Sequence, residues 1–332
     1  MPGIKAKTAH RVLVTGSRGK SSIVRLLHAA MNAAGLSTYA RITGVVPREL
    51  GPQNIKTISR SAAPHVEEMR WWLGQLPASA QGIVLENSAI TPELQDLAGR
   101  WLQPDISIVS NTYADHQEAW GPGDAHAASV LVAGIPRGGR VVVPADAKSD
   151  GLLMELLEKR DASIIFAKPI PEAGADHRAA NIGLAIATIQ NLGLEKELAL
   201  QAMLALPRDS YDFHVAQHGG AELAMAFSVN DIASTRAVFS SLDWSEADTR
   251  LIYNHRHDRP ERVKSFVTWL SHSHWQEVLI VGDKPRMRLD FGRYMKIKNT
   301  ESLLNLFQPG DKVFGCGNIA GLPLALAIES DQ

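Results

Sequence analysis

The chain has 332 residues, more than one compact core usually holds, so two domains are expected. Hydrophobic residues make up 45% and charged residues 21%, as in a folded soluble protein, and a formal net charge of -1 removes the electrostatic case for nucleic acid or an anionic membrane. A single cysteine, Cys316, excludes an intrachain disulfide framework and points to a reducing compartment.

From Arg11 to Ala34 the sequence reads strand, turn, helix. Val12, Leu13 and Val14 are a short buried strand, and Thr15 to Gly19 form a turn with two glycines. Lys20-Ser21-Ser22 then opens a helix whose apolar face carries Ile23, Leu26, Leu27, Ala30, Met31 and Ala34. The glycines let backbone N–H groups approach a phosphate, the helix dipole favours negative charge, and Lys20 adds a mobile cation. Ser21 is placed to offer its hydroxyl to magnesium. The spacing Gly-x-x-Gly-Lys-Ser is two residues shorter than the usual phosphate loop, and an ordinary βα turn is the alternative.

A second strand is expected over Ser37–Thr43, then a loop or small subdomain over Arg48–Arg60, rich in turn formers. Pro64–Leu76 reads as a helix, with Trp71-Trp72 fitting core positions better than a partner contact. Gly82–Leu85 is a strand that ends in Glu86. Ligands of doubly wound folds bind at the carboxyl ends of strands, so Glu86 is a candidate magnesium ligand; a solvated loop carboxylate is the other reading. Polar groups also gather past the next strand, Asp105–Val109, in Ser110-Asn111-Thr112-Tyr113-Ala114-Asp115-His116. Strands over Arg140–Val143 and Ser163–Phe166 flank a helix over Leu152–Lys159. Asp176-His177-Arg178-Ala179-Ala180-Asn181 leads a helix to Leu192, and helix continues over Leu194–Leu206. Pro207 breaks it and marks a domain boundary. Beyond it, strands over Leu223–Val229, Arg250–Asn254, Val278–Val281 and Lys312–Gly315 alternate with helices over Ile232–Leu242, Pro260–Ser271 and one or two segments within Pro285–Phe307. That rhythm predicts a mostly parallel sheet.

Lined up, these sites resemble the Mur ligase superfamily of ATP-dependent amide ligases, and within it the ligase subunit of poly-γ-glutamate synthase. Thr15-Gly16-Ser17-Arg18-Gly19-Lys20-Ser21 is similar to that subunit's phosphate loop. Glu86, in VLENSAITPELQ, resembles the family's magnesium glutamate. Asn111 to His116 match an Asn…Asp-His element whose histidine binds a second magnesium. His177 and Asn181 match the His-x-x-x-Asn that opens an adenine-contacting helix, with Arg178 in place of a common Asn. Phe227-Ser228-Val229-Asn230-Asp231, Asn254-His255-Arg256-His257-Asp258-Arg259-Pro260 and Gly315-Cys316-Gly317-Asn318-Ile319 each resemble a motif of the poly-γ-glutamate branch.

The resemblance implies an α/β fold: a phosphate-loop central domain with a mostly parallel sheet (1–206) and a C-terminal Rossmann-like α/β domain (207–332). It implies an ADP-forming amide ligase working through an acyl phosphate, with ATP and Mg2+ as cofactors. Thr15, Gly16, Ser17, Arg18, Gly19, Lys20, Ser21 and Ser22 would cradle the phosphates. Asn181, Asn230 and Asp231 would join them in binding the nucleotide. Ser21 and Glu86 would hold one magnesium and His116 a second. Arg256 and Arg259 are expected to clamp substrate carboxylates, since guanidinium forks pair with them bidentately, and domain closure would exclude water. The partners implied are a carboxylate and an amine, small or polymeric, with room for a membrane-protein partner subunit and a homo-oligomer. The N-terminal stretch MPGIKAKTAH has no signal-peptide core and no apolar run reaches about 20 residues, so the expected address is cytoplasmic, with the inner membrane face as a variant.

No counterpart of the carbamylated lysine of some Mur enzymes stands out; Lys148 reads as a surface lysine. The substrates implied are glutamate or a poly-γ-glutamate-like carboxylate and an amino-acid amine; the alternatives are a Mur-like ligase of another amino acid and a different small carboxylate, a phosphate-loop kinase or switch, and a non-catalytic scaffold of an export assembly. The pairs His255/His257 and His272/His274 could ligate zinc, but no cysteine accompanies them.

Overall fold

A computed structural model of the protein describes residues 9–44, 46–58, 65–113, 124–174, 177–209, 211–229, 231–286 and 289–329. His116 and Asn230 lie outside the described residues. The chain divides into two compact units, Met1–Pro207 and Arg208–Gln332.

In the first unit β1 (His10–Thr15) runs into α1 (Lys20–Ala33), and the chain then forms β2 (Thr38–Ile42), β3 (Arg48–Leu50) and β4 (Ile55–Thr57). After α2 (Glu67–Gln75) come β5 (Gly82–Glu86), α3 (Pro92–Leu102), β6 (Ile106–Val109) and α4 (Asp124–Val132). The unit closes with β7 (Arg140–Pro144), α5 (Gly151–Glu158), β8 (Ser163–Ala167), α6 (His177–Asn191) and α7 (Lys196–Ala205). The eight strands are ordered β4-β3-β2-β5-β1-β6-β7-β8, parallel from β2 to β8.

Side chains alternate across this sheet, and both faces are covered. Val12 and Val14 pack with Ile23, Leu27, Ile182 and Met203 on one side, while Leu13 packs with Leu85, Trp72 and Leu102 on the other. Burial on both faces is why the strands read as continuous apolar runs.

Several local expectations change. The Arg48–Arg60 stretch is no mere loop: β3 and β4 form an antiparallel hairpin that extends the sheet beyond β2. A buried arginine anchors it, Arg41 of β2 reaching Glu49 on β3 at 3.4 Å and Glu68 on α2 at 2.6 Å. Trp72 is core, as the helix pattern requires, but Trp71 is 61% exposed. Helices α3 and α4 have no counterpart among the helices expected from the sequence, although Thr91 caps α3 in front of Pro92, a recognisable start signal.

Burial also sets a titration in this unit. His28, on α1, has Nε2 3.0 Å from the Gly51 carbonyl in the β3–β4 turn, and burial lowers its pKa from 6.5. The unfolded chain therefore takes up this proton before the folded one does. The stabilisation is complete above about pH 6.5 and falls as pH drops toward the lowered folded value. His28→Gln should flatten the decline in melting temperature below pH 6.5. An unchanged profile in the variant would assign that decline to other groups.

The second unit contains β9 (Val215–His218), β10 (Ala221–Met225), α8 (Ile232–Ser240), β11 (Thr249–His255) and α9 (Pro260–His272). It ends with β12 (Glu277–Gly282), β13 (Arg293–Tyr294), α10 (Thr300–Leu304), β14 (Lys312–Cys316) and α11 (Leu322–Glu329). Strand order is β13-β12-β11-β14-β10-β9, parallel except for the β9–β10 hairpin. The predicted α/β rhythm and parallel sheet hold. Among its described residues the Pro285–Phe307 stretch holds one short helix and a two-residue strand, and β10 stops at Met225, short of the expected Val229. Among the described residues no helix is long and apolar enough to cross a membrane.

Cys316 is fully buried at the end of β14, and burial pushes its thiol above the ordinary range. It should react with a disulfide reagent only on unfolding. Rapid labelling of the native protein would show that this strand end opens.

Candidate active site

Register brings the candidate residues of the first unit to one edge of the sheet. Val14 of β1 lies opposite Glu86 of β5 on one side and Ile108 of β6 on the other, so the three strands release their next residues together. The loop after β1 bends through Gly16 and Gly19, both with positive φ (131° and 80°). Neither position admits a side chain. A Cβ on Gly16 would come within 2.0 Å of Ser110 Oγ, and one on Gly19 within 2.9 Å of Asn181 Oδ1. Asn181, from the first turns of α6, thus lies against the phosphate loop. Gly19 caps α1 without a side-chain hydrogen bond, and no acidic residue occupies the first turn. The positive end of the helix thus carries no side-chain cap and no carboxylate of its own, the condition under which helix N-termini bind anions.

The loop after β6 braces this turn. Ser17 N–H donates to Asn111 O at 3.1 Å, and Arg18 N–H donates to Asn111 Oδ1 at 3.0 Å. Ser17 Oγ donates to Tyr113 O at 2.6 Å, Ser110 N–H donates to Thr15 O at 3.0 Å, and Ser110 Oγ donates to Arg18 O. Lys20 Nζ donates to Gly16 O at 2.6 Å and Ser17 O at 3.2 Å, holding its charge over the turn. Ser22 is half-buried beside it in the first turn of α1.

Glu86 is 1% exposed, which excludes a solvated loop carboxylate. Its Oε2 accepts from Ser21 Oγ at 3.0 Å and from Thr43 N–H at 3.0 Å. Gly44 closes over the pair, where a Cβ would stand 2.6 Å from Ser21 Oγ and 3.6 Å from Glu86 Oε1. Thr43 and Gly44, at the end of β2, are absent from the sequence-derived candidates; a Thr-Gly pair just past a parallel strand is the signal that could have found them. A hydroxyl and a carboxylate in contact, under a glycine, are the hard oxygen donors that suit magnesium.

Other residues have structural employment. The Arg178 guanidinium donates to Met203 O at 2.9 Å and Leu206 O at 2.7 Å, satisfying carbonyls at the C-terminus of α7. Lys148 lies 4.5 Å over the Phe166 ring, a cation–π contact of the kind surface lysines make.

In the second unit β11 and β14 are adjacent parallel strands, and their carboxyl ends form the edge at which open α/β sheets bind ligands. The Asn254 and Gly317-Asn318 motifs meet there. Asn254 Nδ2 donates to Asn318 O at 2.6 Å, and Asn318 Nδ2 donates to Asn254 O at 2.9 Å. Arg256 is held bidentately by Asp258, at 2.9 and 2.6 Å, and this bond keeps the Asp258 carboxyl below its usual range. Arg259 is the N-cap residue of α9 and offers no side-chain cap to it. Asp231 caps α8, its Oδ1 accepting from Ser234 N–H at 2.7 Å. His257 Nδ1 lies 2.7 Å from Asp283 Oδ2, and His272 Nδ1 lies 2.8 Å from Thr268 O. Among the described residues no three His, Cys, Asp or Glu side chains gather as a metal-binding group.

A glycine-bearing turn on a parallel sheet, facing a strand-end glutamate, is accompanied by family matches along most of the chain. Residues 14–184 match the Mur ligase middle domain, and residues 211–332 match the poly-gamma-glutamate synthase CapB C-terminal domain. The chain belongs to the Mur ligase family, whose members are ATP-dependent, ADP-forming amide ligases. It is 24% identical to the PGA synthase CapB of Bacillus subtilis (strain 168), over 94% of this chain and 87% of that protein. It is 27% identical to the capsule biosynthesis protein CapB of Bacillus anthracis, over 77% of this chain and 59% of that one. Among solved structures, the bifunctional folylpolyglutamate synthase/dihydrofolate synthase of Yersinia pestis CO92 superposes with a TM-score of 0.72 at 14% identity, over 98% of this chain and 90% of that one. MurF of Acinetobacter baumannii gives 0.67 at 13%, over 98% and 77%. These likenesses confirm the expected α/β fold.

Proposed function

We propose that the protein forms amide bonds at the expense of ATP, joining glutamate or a poly-γ-glutamate-like carboxylate to an amino-acid amine through an acyl phosphate. The observation that carries this reading is the contact between Ser21 and Glu86 at the mouth of the braced phosphate loop. The motif families matched point the same way, and a solved bifunctional folylpolyglutamate synthase/dihydrofolate synthase at TM-score 0.71 and 15% identity holds Mn, AMPPNP and L-glutamate.

In this reading the backbone of Thr15 to Ser22, with Lys20, holds the β- and γ-phosphates, and Asn181 orients the nucleotide from its seat beside Gly19. Asn230 and Asp231 are assigned to the nucleotide, and His116 to a second magnesium, on the resemblance of their motifs. Ser21 and Glu86 would hold the first magnesium, which would neutralise phosphate charge. The substrate carboxylate oxygen attacks the γ-phosphorus and ADP leaves; the amine nitrogen then attacks the acyl carbon and phosphate leaves. The protein's part is positioning and charge neutralisation. The poly-γ-glutamate reading brings with it a membrane-protein partner at the inner membrane face and a homo-oligomer. Co-purification from membranes and sedimentation test these two.

Purified protein with ATP, magnesium and paired carboxylates and amines should turn over ATP to ADP repeatedly only when both substrates are present, with an amide in the mass spectrum. Repeated ADP release with neither substrate, or a phosphorylated product and no amide when both are present, would replace the ligase with a switch or a kinase.

The arginines provide a separate test. Arg259→Ala removes a charge-assisted bond to the substrate carboxylate and should raise its KM about ten- to a hundredfold, with ATP affinity near wild type. Arg256 would exchange Asp258 for the substrate, and Arg256→Ala should act in the same direction. Equal loss of ATP affinity would move both to the nucleotide; no change would return them to the surface.

A further inference from the structure

Behind the phosphate loop lies a buried polar cluster to which the ligase mechanism gives no task. Gln95 of α3 is fully buried, as are Thr15 and Asn87. Gln95 Oε1 accepts from Thr15 Oγ1 at 3.2 Å and from Asn87 Nδ2 at 2.6 Å, and Gln95 Nε2 donates to Ala89 O at 2.7 Å. Asn87 Oδ1 accepts from Ala89 N–H at 3.2 Å. The cluster is sealed by backbone: a Cβ on Gly134 would stand 3.0 Å from both Asn87 Nδ2 and Gln95 Oε1. Buried amides are costly unless every group is satisfied, and apolar residues would fill the space without that demand. What amides add is direction.

Direction is needed at this point of the fold. The last register pair between β1 and β5 is Val14 with Glu86, and the last ladder bond runs from Asn87 N–H to Val14 O at 2.8 Å. One residue later the strands part, β1 into the phosphate loop through Thr15 and β5 through Asn87. Pairing between β1 and β5 ends at this line, while Thr15 keeps its pairing with Val109 of β6 on the other side. Gln95 takes one hydrogen bond from each departing strand on a single oxygen.

We propose that Gln95 is a positioning residue, which sets the spacing between the phosphate loop and the carboxylate of Glu86 and so couples nucleotide binding to metal binding. The proposal rests on the reading of Glu86 as a magnesium ligand. Gln95 touches neither ligand; it acts through Thr15 and Asn87, as the outer partners of metal ligands do.

The test is ADP affinity by calorimetry, in magnesium and in EDTA, for wild type, Gln95→Met, Asn87→Ala and Glu86→Gln, with melting temperatures recorded. Gln95→Met keeps the side-chain volume and removes the shared acceptor. The gain in ADP affinity on adding magnesium should shrink about ten- to a hundredfold in Gln95→Met and Asn87→Ala, with affinity in EDTA little changed. A lower melting temperature with the magnesium gain intact would make the cluster a matter of stability alone and overturn the proposal. Should Gln95→Met fail to fold, Asn87→Ala cuts the same link from its other end and decides the matter. If Glu86→Gln loses the gain and the other two keep it, the clamp falls and the metal site stands. If Glu86→Gln keeps it too, the metal site falls and takes the clamp with it.

Discussion

Lys20→Ala is expected to lower ATP turnover by about a hundred- to a thousandfold, the loss that follows removal of a preorganised charge from a reacting phosphate. The fold should survive. Lys20 is half-buried at the first turn of α1, and its ammonium donates to the carbonyls of Gly16 and Ser17 within its own turn. The packing of α1 is carried by other residues, Ile23, Leu26, Leu27 and Met31, all of them buried. Turnover and a thermal melt on the same preparation decide the case. Wild-type turnover in a folded variant would end the assignment of residues 15–22 to phosphate.

Glu86→Gln should act on the metal rather than on the nucleotide. The carboxylate is buried at the end of β5 and takes two donors, Ser21 Oγ and Thr43 N–H, on one oxygen. An amide of the same shape keeps one acceptor and loses the charge, so the fold should tolerate it. The half-activating magnesium concentration should rise by at least the ten- to hundredfold typical of a metal's outer partners. A magnesium titration that overlays wild type would remove Glu86 from the metal site.

Much of this arrangement is legible in the sequence, where local chemistry and tertiary fold agree. Val12–Val14 followed by two glycines and Lys20-Ser21 admits few structures, because strand, left-handed turn and helix start each have their own residue signal. Glu86 is visible as the last residue of an apolar run; its burial is not, since that depends on Gly44 arriving from β2. The hairpin β3–β4 hides behind Gly51 and Pro52, which suit a turn but say nothing of whether three residues on each side will pair. Strand β13 has two residues, Arg293 and Tyr294, and owes its existence to β12 beside it. Gln95 looks like one more polar residue after Pro92, because an amide's partners at residues 15 and 87 come together only in the folded sheet. The Arg256 and Arg259 pair is legible as charge, but the bidentate hold of Asp258 on Arg256 emerges only from the folded loop.

The bracing of the phosphate loop bears on the thermodynamics of nucleotide capture. Fixing the backbone of a free residue costs about 1–2 kcal/mol of entropy at room temperature. Here residues 15 to 18 are already fixed by the segment 110–113, whose amides, hydroxyls and carbonyls take the bonds that a floppy turn would leave to solvent. A nucleotide that binds here meets a turn that is already formed, so little backbone ordering remains to be done on arrival. The same rigidity makes this turn a poor gate. Any motion that admits or releases substrates has to come from segments other than the loop proposed here to hold the phosphates.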